Sequence, residues 1–146
     1  MEPTLTGFIA WVRTAMGITT AQLPDNSIWF TYAFNVAESI VSDTIQQVDP
    51  LIYMLAVYNL GGDNLINYAQ DIPPSTFFSD LRAKYLSYSF VAGVIQASAD
   101  QSTSQSLLVP DAFKNLTLSN LQNLKTPWGR QYMAWAQDMG TLWGLT

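Results

Sequence analysis

The stretch that most constrains this chain is Leu51-Ile52-Tyr53-Met54-Leu55-Ala56-Val57-Tyr58-Asn59-Leu60, which is apolar almost all round. A helix with a single apolar stripe lies on a surface, whereas one that is apolar on every side needs neighbours on more than one side. Asp49-Pro50 precedes the run and supplies an acidic cap with a proline at the first helical position. A buried strand is the competing reading. The start signal, and the continuation through Leu65, Ile66 and Tyr68, favour a central helix.

Gly61-Gly62 interrupts that helix in composition. Each glycine costs about 1 kcal/mol relative to alanine in a helix interior. The pair therefore marks either a break or kink, with a new helix near Asp63, or a close approach of backbones; the break is favoured.

The flanking sequence reads as further helices. Residues 4–16 form a first one, capped by Thr4 or Thr6, with Leu5, Phe8, Ile9, Trp11, Val12 and Met16 as its apolar face and Gly17 at its end. A long second helix runs from an Asp25 cap to about Gln47, with Ile28, Trp29, Tyr32, Ala33, Val36, Ala37, Ile40, Val41 and Ile45 at a period near 3.6. Ile72-Pro73-Pro74 is a rigid boundary before a helical candidate over residues 77–96. The stretch 111–124 is mixed and suggests short helical pieces. Thr126-Pro127-Trp128 repeats the cap-plus-proline start for a last helix that ends near Met139.

Two segments stand apart. Residues 97–106 are almost wholly Ser, Thr, Gln, Ala and Asp, too poor in apolar surface to order themselves. They are expected to form a projecting polar loop that continues through Leu107-Leu108-Val109-Pro110. The terminal Leu142-Trp143-Gly144-Leu145 is apolar where termini usually fray, so residues 140–146 are expected to dock on a surface. The expected fold is all-α: one domain over residues 1–146, a compact bundle of about four to six helices.

Composition narrows function. The charged fraction is 12%, about half the usual roughly 25%. Little charge repulsion opposes association on such a surface. The net charge is −5, and the six basic residues are scattered apart from Arg82 and Lys84. Direct nucleic-acid binding needs a basic footprint and is not expected. Met1-Glu2-Pro3-Thr4 has no basic region before an apolar run, so no signal peptide is expected, and no apolar run reaches the length of a transmembrane helix.

The chain has no Cys and no His. Thiol catalysis, disulfides, thiolate and His-based metal sites and the Ser-His-Asp triad are thereby removed. Chemistry built on carboxylates alone survives, but it needs two carboxylates facing one cleft. Glu38 and Asp43 are five apart on the expected second helix, which does not give them a common face. Asp63, Asp71 and Asp80 read as helix caps or loop residues. Gly61-Gly62-Asp63 lacks the remainder of any phosphate-binding motif, and residues 100–106 lack the acidic ladder of a calcium loop. No catalytic, metal or cofactor residue is expected. Trp11, Trp29, Trp128 and Trp135 read as core, and Trp143 reads as a contact residue.

Several segments carry a resemblance. Residues 53–65, from Tyr53-Met54-Leu55 through Gly61-Gly62-Asp63-Asn64-Leu65, resemble small tailed-bacteriophage virion proteins. So do Ser102-Thr103-Ser104-Gln105-Ser106-Leu107-Leu108-Val109-Pro110, Leu124-Lys125-Thr126-Pro127-Trp128-Gly129-Arg130 and the ending Leu142-Trp143-Gly144-Leu145. The resemblance spans most of residues 25–146 and points to head–tail connectors, the portal-bound adaptors. It implies a helical subunit in a ring of about twelve copies under the portal, around the DNA passage. Portal and neighbouring tail or neck proteins would be its partners, and its location the virion, or the host cytoplasm during assembly.

The interface candidates are Ser102, Ser104, Leu107, Leu108 and Val109 in the loop, with Leu142, Trp143 and Leu145 in the tail. An acidic balance would suit a wall along which DNA slides. The alternatives are a soluble phage regulatory or host-directed binding module and a carboxylate-only hydrolase.

Overall fold

The computed structural model describes residues 2–85, 97–99, 104–106 and 123–139. Helix α1 is Leu5–Trp11, continued by a π-helical turn Val12–Met16. Thr4 begins it, its extended backbone placing Oγ1 to accept the Gly7 N–H at 3.0 Å. Gly17 ends it in the left-handed conformation, with φ 69°. From the π turn, Arg13 gathers the next stretch of chain by donating to the carbonyls of Ile18 (2.9 Å) and Leu23 (2.6 Å) and pairing with Asp25.

Helix α2 is Ile28–Ile40 and α3 is Thr44–Val48. They replace the single long helix that periodicity suggests. Val41 adopts extended backbone and the chain turns through Ser42-Asp43, where the Ser42 hydroxyl accepts the Thr44 N–H at 3.4 Å. Such side-chain-to-backbone bonds compete with helix continuation. The turn still buries both Val41 and Ile45.

The face that α2 turns inward matches the expected one only in Ala33 and Ala37. Phe30, Ala33, Phe34 and Ala37 are buried, whereas Ile28, Tyr32 and Ile40 are exposed. Both sets repeat at three- and four-residue spacings, so periodicity could not choose between them; α2 carries two apolar faces.

Helix α4, Pro50–Tyr68, is the central element. Asp49 Oδ1 accepts from the Leu51 and Ile52 N–H groups, at 3.1 and 3.2 Å, with Pro50 at the first position. Every residue from Ala56 to Ile66 is buried, with α1, α2, α3 and the later helices Phe77–Lys84 and Pro127–Met139 packed around it. It runs unbroken through Gly61-Gly62, which corrects the expected kink. A Cβ on Gly61 would lie 2.9 Å from the Phe8 ring, and one on Gly62 would lie 2.9 Å from Met16 Sδ and 3.0 Å from the Trp11 ring. The glycines are where α1 and the π turn press against α4.

Helix α5, Phe77–Lys84, starts from a loop fixed by Asp71. That carboxylate accepts from Phe78 N (2.6 Å), Ser79 N (3.0 Å) and the Ser79 hydroxyl (2.6 Å), so of the two expected roles, cap or loop residue, it takes the first. Burial alone would raise the Asp71 pKa; the bonds from Ser79 and Phe78 and the nearby Arg82 charge outweigh it and lower the pKa. Arg82 is buried and donates to the Ile66 and Ala69 carbonyls, at 3.1 and 2.6 Å, closing the C-terminal end of α4.

Ala97–Ala99 (β1) and Ser104–Ser106 (β2) pair antiparallel, with Ala97 opposite Ser106, Ser98 opposite Gln105 and Ala99 opposite Ser104. The segment expected to be an unordered loop therefore contains a short hairpin. Ladder bonds come from the backbone, so low apolar content did not forbid them.

Helix α6, Pro127–Met139, has the expected bounds. Among the described residues the architecture is an all-α bundle of six helices with one short antiparallel strand pair. Among the described residues no helix is long and apolar enough to cross a membrane.

Candidate functional site

Three features bear on function. The first is the outward apolar face of α2. Ile28, Tyr32 and Ile40 are 73%, 49% and 54% exposed, and Val36 between them is half-buried. Successive steps of four residues make these side chains one ridge along the helix. Tyr68, at the end of α4, stands edge-on to Tyr32 with ring centroids 5.5 Å apart and widens the ridge. Ile72, also exposed, follows one loop later. Periodicity alone puts Ile28, Tyr32 and Ile40 in the core, whereas all three stand at the surface.

The second is an open cavity of about 590 Å³ where α2, the turn to α3 and the start of α4 meet. Glu2, Glu38, Asp43, Asn35, Gln46 and Tyr53 are among its lining residues. The break after Ile40 brings Glu38 and Asp43 to one cleft, correcting the expectation that they share no face. The Tyr53 hydroxyl donates to Asp43 Oδ1 at 3.2 Å. Burial, then the negative charges of Asp43, Glu38 and Glu2, push its pKa up to about 12, so it remains a donor.

The third is polar and interior. Asp63 lies in the middle of α4 and is fully buried, not at a cap or in a loop as expected. The Thr126 hydroxyl donates to Asp63 Oδ1 at 2.5 Å and accepts the Gly129 N–H at 3.0 Å. Asn67 Nδ2 is 3.5 Å from Asp63 Oδ2. Burial raises the Asp63 pKa to about 7 against the lowering effect of the Thr126 bond. Two buried amide atoms nearby in sequence, Asn64 Nδ2 and Asn67 Oδ1, have no hydrogen-bond partner.

Of the interface candidates, only Ser104 falls within the described residues, in β2. Ser102, Leu107, Leu108, Val109, Leu142, Trp143 and Leu145 lie outside them, and so do most of the expected 97–110 loop and the whole 140–146 tail. Trp11, Trp29 and Trp135 pack against the core, and Trp128 stands edge-on to Tyr85 at 6.1 Å. Among the described residues no group of three or more acidic side chains is placed to hold a metal ion.

No family model, no curated protein and no solved structure matches this chain.

Proposed function

We propose that this chain is a non-enzymatic structural adaptor of a phage virion, a subunit that joins portal to tail around the DNA passage. The observation that carries the reading is the exposed ridge Ile28-Tyr32-Val36-Ile40, widened by Tyr68. Exposed apolar rows of this kind mark protein contacts. Tyr is enriched among residues that dominate such contacts. A low charged fraction lets copies approach without strong repulsion. The resemblance of residues 53–65, 102–110 and 124–130 to virion proteins gives the assembly its setting.

In this reading the ridge packs against a neighbouring copy, and the 97–110 and 140–146 segments reach portal or neck partners. Closed rings use such head-to-tail contacts. Electron microscopy of the purified chain tests it. Rings with a central channel are expected. Compact dimers without a channel would favour the regulatory or host-directed binding module instead.

The cleft supports a second reading, a carboxylate-only hydrolase, because Glu38 and Asp43 line one cavity. Two facing carboxylates are the minimum for acid–base hydrolysis. Hydrolysis of a glycoside panel that is lost in both Glu38→Gln and Asp43→Asn would establish that reading. No turnover by the native chain would end it.

A further inference from the structure

We infer that Asp63 is a proton-operated latch, neutral when α6 is seated on α4 and releasing α6 when it ionises. The inference starts from the hydrogen bonds and is independent of the assembly reading. The Thr126 hydroxyl donates to Asp63 Oδ1, and its oxygen accepts from the Gly129 N–H. In that arrangement Oδ1 is the acceptor oxygen of the carboxyl, and a proton on Asp63 sits on Oδ2.

Oδ2 faces the Asn67 amide, whose own Oδ1 is buried and without a partner. A half-turn of that amide exchanges its nitrogen and oxygen. A protonated Oδ2 then donates to Asn67 Oδ1, and Asn67 Nδ2 takes the buried position that Oδ1 held. The neutral acid completes a chain from Asn67 through Asp63 and Thr126 to the first turn of α6. The carboxylate instead places a charge in the core.

Among the described residues, no charge compensates that of an ionised Asp63. The titratable groups on the elements packed around α4 are Arg13 on the π turn, Tyr32 and Glu38 on α2, Asp80, Arg82 and Lys84 on α5, and Arg130, Tyr132 and Asp138 on α6. Lys125 precedes α6, and α4 itself carries Tyr53, Tyr58 and Tyr68. Among the described residues, the influences on the Asp63 carboxyl are burial and the Thr126 bond. Arg82 is engaged by the Ile66 and Ala69 carbonyls, Arg13 by Ile18, Leu23 and Asp25, and Arg130 by the Leu124 carbonyl.

The geometry also says which element yields. Gly129 lies directly over the carboxyl, since a Cβ there would sit 2.9 Å from Asp63 Oδ1. Hydrating the charge requires moving that part of α6. Among the described elements α6 packs chiefly on α4, so it can lift without dismantling the α1–α4 packing. The proton passes to solvent as α6 lifts, and α6 leads directly into residues 140–146.

Two measurements on the full chain test this together. Carbon-13 NMR of the carboxyl groups follows Asp63, assigned with Asp63→Asn, from pH 4 to pH 9. Hydrogen exchange, expressed as protection factors, follows α6 and α2 over the same range. The expected result is a titration near neutral pH, with α6 protection falling at least tenfold while α2 protection holds. In Asp63→Asn, α6 protection should become independent of pH over that range. Titration in the ordinary carboxylate range, or a proton retained to pH 9, overturns the latch. So does a loss of protection shared equally by α2 and α6. If Asp63→Asn does not fold, Thr126→Ser serves for the assignment and the native chain alone decides the outcome.

Discussion

Thr126 and Asp63 meet across 63 residues of sequence, hydroxyl to carboxyl at 2.5 Å, and both side chains are fully buried. The contact joins the start of α6 to the middle of α4. Thr126 also accepts the Gly129 N–H, so one side chain both starts a helix and seats it. Replacing it by Val keeps the shape and removes both bonds. Loss of a cap costs about 1 kcal/mol and an orphaned buried partner roughly 1–3 more. Thr126→Val should therefore lower stability by about 2–4 kcal/mol in urea titration, and Thr126→Ser by less than half of that. Equal effects of the two variants would show that the methyl group contributes as much as the two bonds, and a Val variant as stable as the native chain would show that the bonds contribute nothing.

Gly61 and Gly62 invite a test of sign. Alanine in a helix interior is worth about 1 kcal/mol over glycine, so a merely local effect predicts stabilisation. A Cβ on Gly61 would meet the ring of fully buried Phe8, while that on Gly62 meets the mobile end of Met16 as well as Trp11. Overpacking typically costs about 1–3 kcal/mol. Gly61→Ala should destabilise the fold, and by more than Gly62→Ala. Thermal melts that rise in either variant would contradict the close approach.

Arg13 separates bonding from charge. Its guanidinium serves the Ile18 and Leu23 carbonyls, whereas its acidic partner Asp25 is 66% exposed at the side chain. Exposed ion pairs contribute little, and unpaired carbonyls cost more. Arg13→Met should destabilise by roughly 2 kcal/mol, and Asp25→Asn by about 0.5 kcal/mol or less. Chemical denaturation of the two variants decides the ranking.

Asp71 makes an acid-side prediction. Its folded pKa lies below its unfolded value, so the stability it adds is present above the unfolded pKa and is lost as pH falls through the folded one. Asp71→Asn should be less stable than the native chain at pH 7, by about 1 kcal/mol for exchanging charge-assisted bonds for neutral ones, and the gap should narrow toward pH 2. A gap that is constant with pH would assign the effect to shape.

What the sequence made legible was local. Thr4, Asp49-Pro50 and Thr126-Pro127 all announce helix starts, because a cap and its target lie within a few residues of one another. What it hid depends on distance or on degeneracy. Asp63 looks like a loop residue because an acidic side chain is rarely buried, and the group that accommodates it lies in another helix. The two apolar faces of α2 share one period, so only the neighbours could choose Phe30 and Phe34 for the core and leave Ile28 and Tyr32 outside. Glu38 and Asp43 converge only because the helix between them ends early. The signal available for the ridge was the surplus itself: α2 has more apolar residues than one face can bury.

The proposal that this chain is an assembly part is tested most directly by native mass spectrometry of the purified chain beside its Tyr32→Glu variant. The account predicts a closed oligomer of many 16.2 kDa subunits, reduced to monomer when a charge enters the ridge while the helical signal is unchanged. A native chain that stays monomeric at its highest soluble concentration, or an oligomer indifferent to Tyr32→Glu, would contradict it.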